Sequence, residues 1–304
     1  YMINVLEVHN IEKRYKNISV LKNLNMTIKK GAIYGLIGKN GSGKTTLIRI
    51  ITGLQNPTSG FYSLYNVPYN DSNILDKRNR IGAIVETPSM YGNMSAKDNL
   101  IVQFKNIGIP SLNKIDYLLK IVGLQNVGSK KVKYFSLGMK QRLGIAIALS
   151  SNPDFLILDE PINGLDPEGI IEIRELILNL NKKGITILIS SHYLDELSKV
   201  ATYYGFLDNG RIISEISADE LNQKMRKKII VKVNNLKEAV KYFEIKSISY
   251  EVNDNSQISI YGSVNISEIV LDLSKRKCII EEIHENNETL ENYYINLIGS
   301  DRRD

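Results

Sequence analysis

The chain has 304 residues, 43% of them apolar, and a single cysteine, Cys278. That is enough for two domains, one of them large. One cysteine excludes an intramolecular disulfide and fits a reducing compartment, and the absence of any run near ~18 consecutive apolar residues excludes a membrane-spanning helix.

The net charge of +6 is uneven: residues 1–214 carry 26 basic and 17 acidic side chains, and residues 215–304 carry 13 and 16. A domain boundary is therefore expected near 215. The basic residues are scattered, so they read as a solvated surface and no nucleic acid is expected as a partner. No secretory signal is visible at the N-terminus.

In chain order, residues 3–8 alternate and read as a strand, and residues 25–28 as another before a turn at Gly31. Residues 32–37 are a short, mostly apolar run that reads as a buried strand. It leads into Gly38-Lys39-Asn40-Gly41-Ser42-Gly43-Lys44-Thr45, which matches G-x-x-x-x-G-K-[ST]. Leu47, Ile48, Ile50, Ile51 and Leu54 then fall at helical spacing. Glycines here let backbone N–H groups turn inward and cradle anionic oxygens. The cradle comprises Gly38, Asn40, Gly41, Ser42, Gly43 and, where the helix opens, Lys44, Thr45 and Thr46. Lys44 can reach the β- and γ-phosphates, and the Thr45 hydroxyl can ligate Mg²⁺. A nucleoside triphosphate is the expected ligand.

Residues 57–60 read as a turn, and residues 81–85 as another buried strand ending at Glu86. Residues 95–150 are dominated by helical periodicity, broken at Gly108-Ile109-Pro110 and Gly123. Two further buried strands, 155–158 and 185–189, flank a helix of about 168–181. This alternation predicts an α/β fold: a largely parallel sheet wrapped by helices, an antiparallel N-terminal part, and a helical subdomain at about 90–150. From about 226 the order β-α-β-β-α-β predicts a small ferredoxin-like α+β domain. Its strands are expected at 228–233, 247–252, 257–261 and 278–283, around a turn at 253–256. Its helices are expected at 236–243 and 266–274, with a final helix at 289–298.

A P-loop does not by itself separate kinases, GTPases, helicases and transport ATPases. Four further features narrow the choice. Residues 155–158 end in Asp159 and Glu160. Asp159, at the strand tip, is placed to hold Mg²⁺ with Thr45, and Glu160 can polarise a water aimed at the γ-phosphate. Phe135-Ser136-Leu137-Gly138-Met139-Lys140-Gln141-Arg142 opens a helix, with Ser136 as its N-cap and Gly138 allowing close backbone approach. Alone it reads as a helix cap with a basic first turn. Asn163-Gly164-Leu165-Asp166-Pro167 is a turn just after the paired acids. His192 ends the next strand, which a parallel neighbour brings to the same sheet edge, where it could bond the γ-phosphate or the attacking water. His9 and His284 read as structural.

This ordered set resembles the nucleotide-binding subunit of ABC transporters, over about residues 5–214. The resemblance implies an Mg-dependent ATPase. It makes Ser136, Gly138, Met139 and Gln141 a signature motif that meets the ATP of a second copy, so a homodimer is expected on ATP binding. It places Asp166 in a loop across that dimer interface, makes Glu160 and His192 catalytic, and stacks Tyr15 on adenine, where the residue would otherwise be an ordinary surface tyrosine. It also implies a separate integral-membrane permease and a peripheral location on the cytoplasmic face of the membrane. Two departures stand out. Phe135, Leu137 and Met139 replace members of the usual Leu-Ser-Gly-Gly-Gln run. Glu86 stands where glutamine is usual, keeping an acceptor for Mg²⁺ beside Thr45 and Asp159 but losing an amide donor. Glu86 together with the C-terminal extension is similar to the bacitracin- and lantibiotic-type exporters of self-immunity. A non-transport ABC ATPase acting on ribosomes or DNA is the alternative. Residues 215–304 are expected to brace a dimer or dock a partner, with a regulatory ligand module as the other reading.

Overall fold

The computed structural model describes residues 3–225, 228–253, 256–262, 264–286 and 289–301. These divide into two compact units, one built on Tyr1–Ala218 and the other on Asp219–Gly299.

The first unit opens with a hairpin of two long strands, β1 (Asn4–Tyr15) and β2 (Ile18–Lys29). Residues 3–8 and 25–28 are only its outer ends. Register shifts between Val8 and Ile11 and between Ile11 and Lys13, with left-handed Asn10 and Asn23 (φ 50° and 47°), break the alternation elsewhere. There follow β3 (Ile33–Ile37), α1 (Lys44–Ile51), β4 (Ser59–Leu64), β5 (Val67–Pro68), α2 (Ile74–Arg78) and β6 (Ile81–Ile84). A helical segment comes next, with α3 (Ala96–Asn106), α4 (Ile115–Ile121) and α5 (Leu137–Ala148). The unit closes with β7 (Phe155–Asp159), α6 (Pro167–Lys182), β8 (Thr186–Ser191), α7 (Leu194–Ser198), β9 (Tyr203–Asp208) and β10 (Arg211–Ser217).

Two sheets result. One is antiparallel in the order β2-β1-β4-β5, and the other runs β10-β9-β3-β8-β7-β6. Strands β9, β3, β8, β7 and β6 are mutually parallel, with β10 antiparallel at the edge. Every residue of β3, β7 and β8 is buried, which is why these strands read as largely apolar runs. Leu47, Ile48, Ile50 and Ile51 of α1 join Leu6, Met26 and Ile28 of the antiparallel sheet and Leu36, Ile157 and Leu188 of the parallel one in a single core. Burial of the four α1 side chains contributes roughly 1.5–3 kcal/mol each, which anchors the helix that closes the P-loop. Because the strands are parallel, their C-terminal ends, at Ile37, Asp159 and Ser191, lie along one sheet edge.

In the second unit come α8 (Ala218–Lys224), β11 (Lys228–Val233), α9 (Leu236–Ile245), β12 (Ser249–Val252), β13 (Gln257–Tyr261), α10 (Ile266–Lys275), β14 (Ile280–Asn286) and α11 (Leu290–Asp301). Its sheet runs β12-β13-β11-β14, antiparallel throughout, the arrangement of a split β-α-β unit. Ile229, Val231, Phe243, Ile258, Ile260 and Leu273 form its own core, and Asn235 and Asn265 cap α9 and α10. Cys278 precedes β14 and is buried in this core. Of the expected turn at 253–256, Asp254 and Asn255 lie outside the described residues. Among the described residues, no helix is long and apolar enough to cross a membrane.

Candidate nucleotide site

The P-loop connects β3 to α1 through left-handed Gly41 and Gly43, at φ 81° and 114°. The N-terminus of α1 receives no side-chain cap and has no acid in its first turn. Its first amides are thus donors without an intrahelical acceptor, at the positive end of the helix. A Cβ on Gly38 would lie 2.4 Å from Ser42 Oγ and 2.7 Å from the Leu207 carbonyl, so the loop closes only on glycine. Ser42 Oγ is buried with no hydrogen-bond partner among the described residues. Open amides, an orphaned hydroxyl and a buried lysine are the donor set of an anion cradle and fit a nucleotide's phosphates. Asn40 and Gly41 are exposed at the loop tip, and Thr46 is half-buried behind Thr45.

Lys44 is buried, yet its ammonium is well held. Nζ donates to the carbonyls of Gly38 (2.6 Å) and Lys39 (3.3 Å) and lies 3.2 Å from Glu160 Oε1. Thr45 Oγ1 donates to Asp159 Oδ2 at 2.8 Å. A hydroxyl and a carboxylate are hard oxygen donors, and among the described residues no group of three or more His, Cys, Asp or Glu forms a metal cage. That set fits Mg²⁺, which is held by one or two protein oxygens together with phosphates and water.

Glu160 leaves β7 in the left-handed region, φ 49°, a conformation costing about 1–2 kcal/mol for a residue with a Cβ. The turn points its carboxylate between two basic groups, with Oε1 toward Lys44 and Oε2 2.9 Å from His192 Nδ1. The P-loop lysine, the second of the paired acids and the strand-end histidine thus touch one another through Glu160. Tyr193 packs on the His192 ring, centroids 4.2 Å apart.

Thr45, Glu86, Asp159, Glu160, Leu137 and Gln141 line one cavity of about 330 Å³. Glu86 reaches it in the left-handed region, φ 63°, but its Oε1 is paired with Arg49 Nη2 of α1 at 2.6 Å. Gln141 is buried, and its Oε1 has no partner among the described residues. The other signature residues lie outside this lining. Ser136 is exposed and caps α5, accepting from Met139 N–H at 3.2 Å. A Cβ on Gly138 would meet nothing closer than 3.8 Å, so no close approach within this chain requires glycine there. Asp166 caps α6, accepting from Gly169 N–H at 3.1 Å. Tyr15 is partly exposed at the end of β1, donates its hydroxyl to Gln55, and has Lys13 Nζ 5.3 Å from its ring centre.

Two features escaped the sequence reading. Ser190, fully buried in β8, donates to Asp159 Oδ1 at 2.5 Å and accepts from Glu160 N–H at 3.0 Å. The visible signal was a pair of hydroxyls closing an apolar strand. Arg174 of α6 pairs with Glu196 of α7 at 2.9 Å, linking the helix after Asp166 to the one after His192. Partial burial pushes the Glu196 carboxyl up, but the Lys199 and Arg174 charges outweigh it and hold it below the usual carboxylate range.

The family model described as ABC transporter matches residues 21–163. The chain is 40% identical to the bacitracin transport ATP-binding protein BcrA of Bacillus licheniformis, over 98% of each chain. It is 46% identical to the lantibiotic transport ATP-binding protein SrtF of Streptococcus pyogenes, over 71% of this chain and 92% of the relative. Among solved structures, the ADP conformation of MJ1267, an ATP-binding cassette of an ABC transporter, aligns with a TM-score of 0.67 at 28% identity, covering 73% of this chain and 94% of that one. A dimeric post-hydrolysis cassette, MJ0796 bound to ADP and Pi, aligns with a TM-score of 0.63 at 27% identity, covering 70% and 98%. With the P-loop, the paired acids and His192 along one sheet edge and a likeness that runs the length of the chain, this protein belongs to the ATP-binding subunits of ABC transporters.

Proposed function

We propose that this chain hydrolyses ATP with Mg²⁺ to energise export of a peptide antibiotic through a separate integral-membrane permease, acting on the cytoplasmic face of the membrane. The observation that carries the hydrolytic reading is Glu160, held between Lys44 and His192 at the mouth of the P-loop and next to the Thr45–Asp159 pair. The cargo class is supported by the likeness to bacitracin and lantibiotic transport proteins.

The residues suggest the following division of labour. The P-loop amides and the start of α1 bind the β- and γ-phosphates, and Lys44 exchanges its Glu160 contact for a phosphate oxygen. Glu160, released from Lys44, accepts a hydrogen bond from the attacking water and aligns it with the γ-phosphate. His192 holds the other carboxylate oxygen and keeps that alignment. Thr45 and Asp159 would hold Mg²⁺, with Glu86 bordering the same cavity. The ion would supply neutralisation of the charge that develops on the phosphates. Ser136, Gly138, Met139 and Gln141 serve the ATP of a second copy, and Asp166 lies at that interface; the exposed Ser136 at the start of α5 supports this reading. Tyr15 stacks on the adenine.

The test is Glu160→Gln. That variant is expected to bind ATP, lose hydrolysis and accumulate as a dimer in size-exclusion chromatography. Wild-type turnover would remove Glu160 from its role. Co-purification with a polytopic membrane protein supports the transport reading, whereas co-purification with ribosomes would favour the non-transport alternative.

A further inference from the structure

We propose that Ser190 is a positioning residue that ties Asp159 and Glu160 into one unit, fixing which Asp159 oxygen faces Thr45 and which way Glu160 leaves its strand. The inference rests on the roles proposed above for those two acids.

Ser190 sits opposite Asp159 in the parallel ladder between β7 and β8. It is fully buried, and its single hydroxyl proton goes to Asp159 Oδ1 at 2.5 Å. Thr45 donates to the other oxygen, Oδ2, at 2.8 Å. The two hydroxyls therefore hold the carboxylate from opposite sides, one from the strand and one from the P-loop helix. A carboxylate gripped at both oxygens cannot rotate about its Cβ–Cγ bond, and that orients the group proposed to face the metal.

The same Ser190 oxygen accepts from the Glu160 N–H at 3.0 Å, and the Ser190 carbonyl lies 3.1 Å from that N–H. This is where the backbone enters the left-handed region, at φ 49°. A conformation disfavoured for glutamate persists only when its surroundings over-determine it. Two acceptors from one neighbouring residue do so. One buried hydroxyl thus serves both acids, and it sits on the strand whose next turn carries His192.

Removing the hydroxyl leaves Asp159 Oδ1 buried without this donor and Glu160 N–H with the carbonyl alone. Loss of an outer-shell partner of a metal-facing carboxylate typically costs about 10- to 100-fold in metal affinity or activity. Lys44 is held by the Gly38 and Lys39 carbonyls and by Glu160 rather than by Ser190, so the metal-free part of nucleotide binding is expected to stay intact.

The experiment compares wild type with Ser190→Ala. ADP affinity is measured by calorimetry in EDTA and across a Mg²⁺ titration, and turnover is measured across the same titration. The expected result is unchanged ADP affinity in EDTA, a Mg²⁺ half-saturation raised by about 10- to 100-fold in both assays, and a lower kcat. An unchanged half-saturation overturns the inference. So does a parallel loss of ADP affinity in EDTA, which marks a merely structural role. Should Ser190→Ala fail to fold, Ser190→Thr and Ser190→Val form an equal-sized pair differing in the hydroxyl, and equal Mg²⁺ half-saturation in the two overturns the inference. If Glu160→Gln turns over normally, the functional reading itself fails. If Glu160→Gln is inactive while Ser190→Ala behaves as wild type, only the role of Ser190 fails.

Discussion

Removing the guanidinium of Arg174 tests whether the helix after Asp166 and the helix after His192 are energetically joined. The Arg174 Nη1 to Glu196 Oε2 distance is 2.9 Å, and the two side chains are 24% and 22% exposed. The pair therefore stands between exposed ion pairs, worth about 0.2–1 kcal/mol, and buried ones, whose breaking costs about 3–5 kcal/mol. In Arg174→Ala, Glu196 keeps Lys199 at 2.5 Å, which places the expected loss at the lower end, about 1–2 kcal/mol. For a unit of this size that is a fall in Tm of roughly 3–6 °C.

The pH dependence follows from the direction of the Glu196 shift. Its carboxyl is held below its ordinary value in the folded state, burial notwithstanding, by Lys199 and Arg174. The pair's contribution is therefore complete above the unfolded carboxylate value of about 4.3. It is lost as pH falls through the lower folded value. Differential scanning calorimetry of wild type, Arg174→Ala, Glu196→Gln and the double variant, at pH 7 and on the acid side, reads this directly. The expected outcome is a coupling of about 1 kcal/mol at pH 7 that shrinks once Glu196 is protonated. Zero coupling at pH 7, or an equal coupling at both ends of the pH range, refutes the reasoning.

Gly38→Ala is expected to weaken nucleotide binding severely and to lower stability by about 1–3 kcal/mol, because its new methyl would meet the Leu207 carbonyl at 2.7 Å; calorimetric titration with ADP checks it. Glu86→Gln should leave folding stability within about 1 kcal/mol of wild type, since the Arg49 pair is 36% and 56% exposed. The same variant should change ATPase or transport rate, and no change in either would remove Glu86 from the site. Phe243→Ala should cost the second unit about 3–5 kcal/mol, because the ring is fully buried in that unit's own core. It should move one of two calorimetric transitions and leave the KM for ATP unchanged.

The nucleotide site was readable where chemistry fixes the spacing. A P-loop must bring glycines, a lysine and a threonine within a single turn of one phosphate chain, so Gly38 to Thr45 could be read without any fold. Asp159, Glu160 and His192 were readable because each ends a conspicuously apolar strand. The second unit was readable from its period of two in Ile229, Val231 and Val233, followed by helical spacing in α9. What could not be read depends on register and distant pairing. Ser190 became significant only once β8 was aligned opposite Asp159. Arg49 and Glu86 are 37 residues apart, one on α1 and the other in the loop after β6. The hairpin of β1 and β2 was under-read because its bulges interrupt the alternation on which strand recognition relies.

Strand β8 lies between the strand that feeds the P-loop and the strand that ends in the paired acids. The P-loop and the paired acids are therefore carried by strands that are not neighbours, and the spacing of those two strands is set by the width and register of an intervening, largely apolar strand. Ser190 faces Leu36 on one side and Asp159 on the other. A subtle repacking of Ile187 or Ile189, both buried, would shift this spacer without unfolding anything. Variants at these two positions should therefore announce themselves as kinetic defects in an otherwise well-folded protein, and a screen that scores only expression or solubility would pass them.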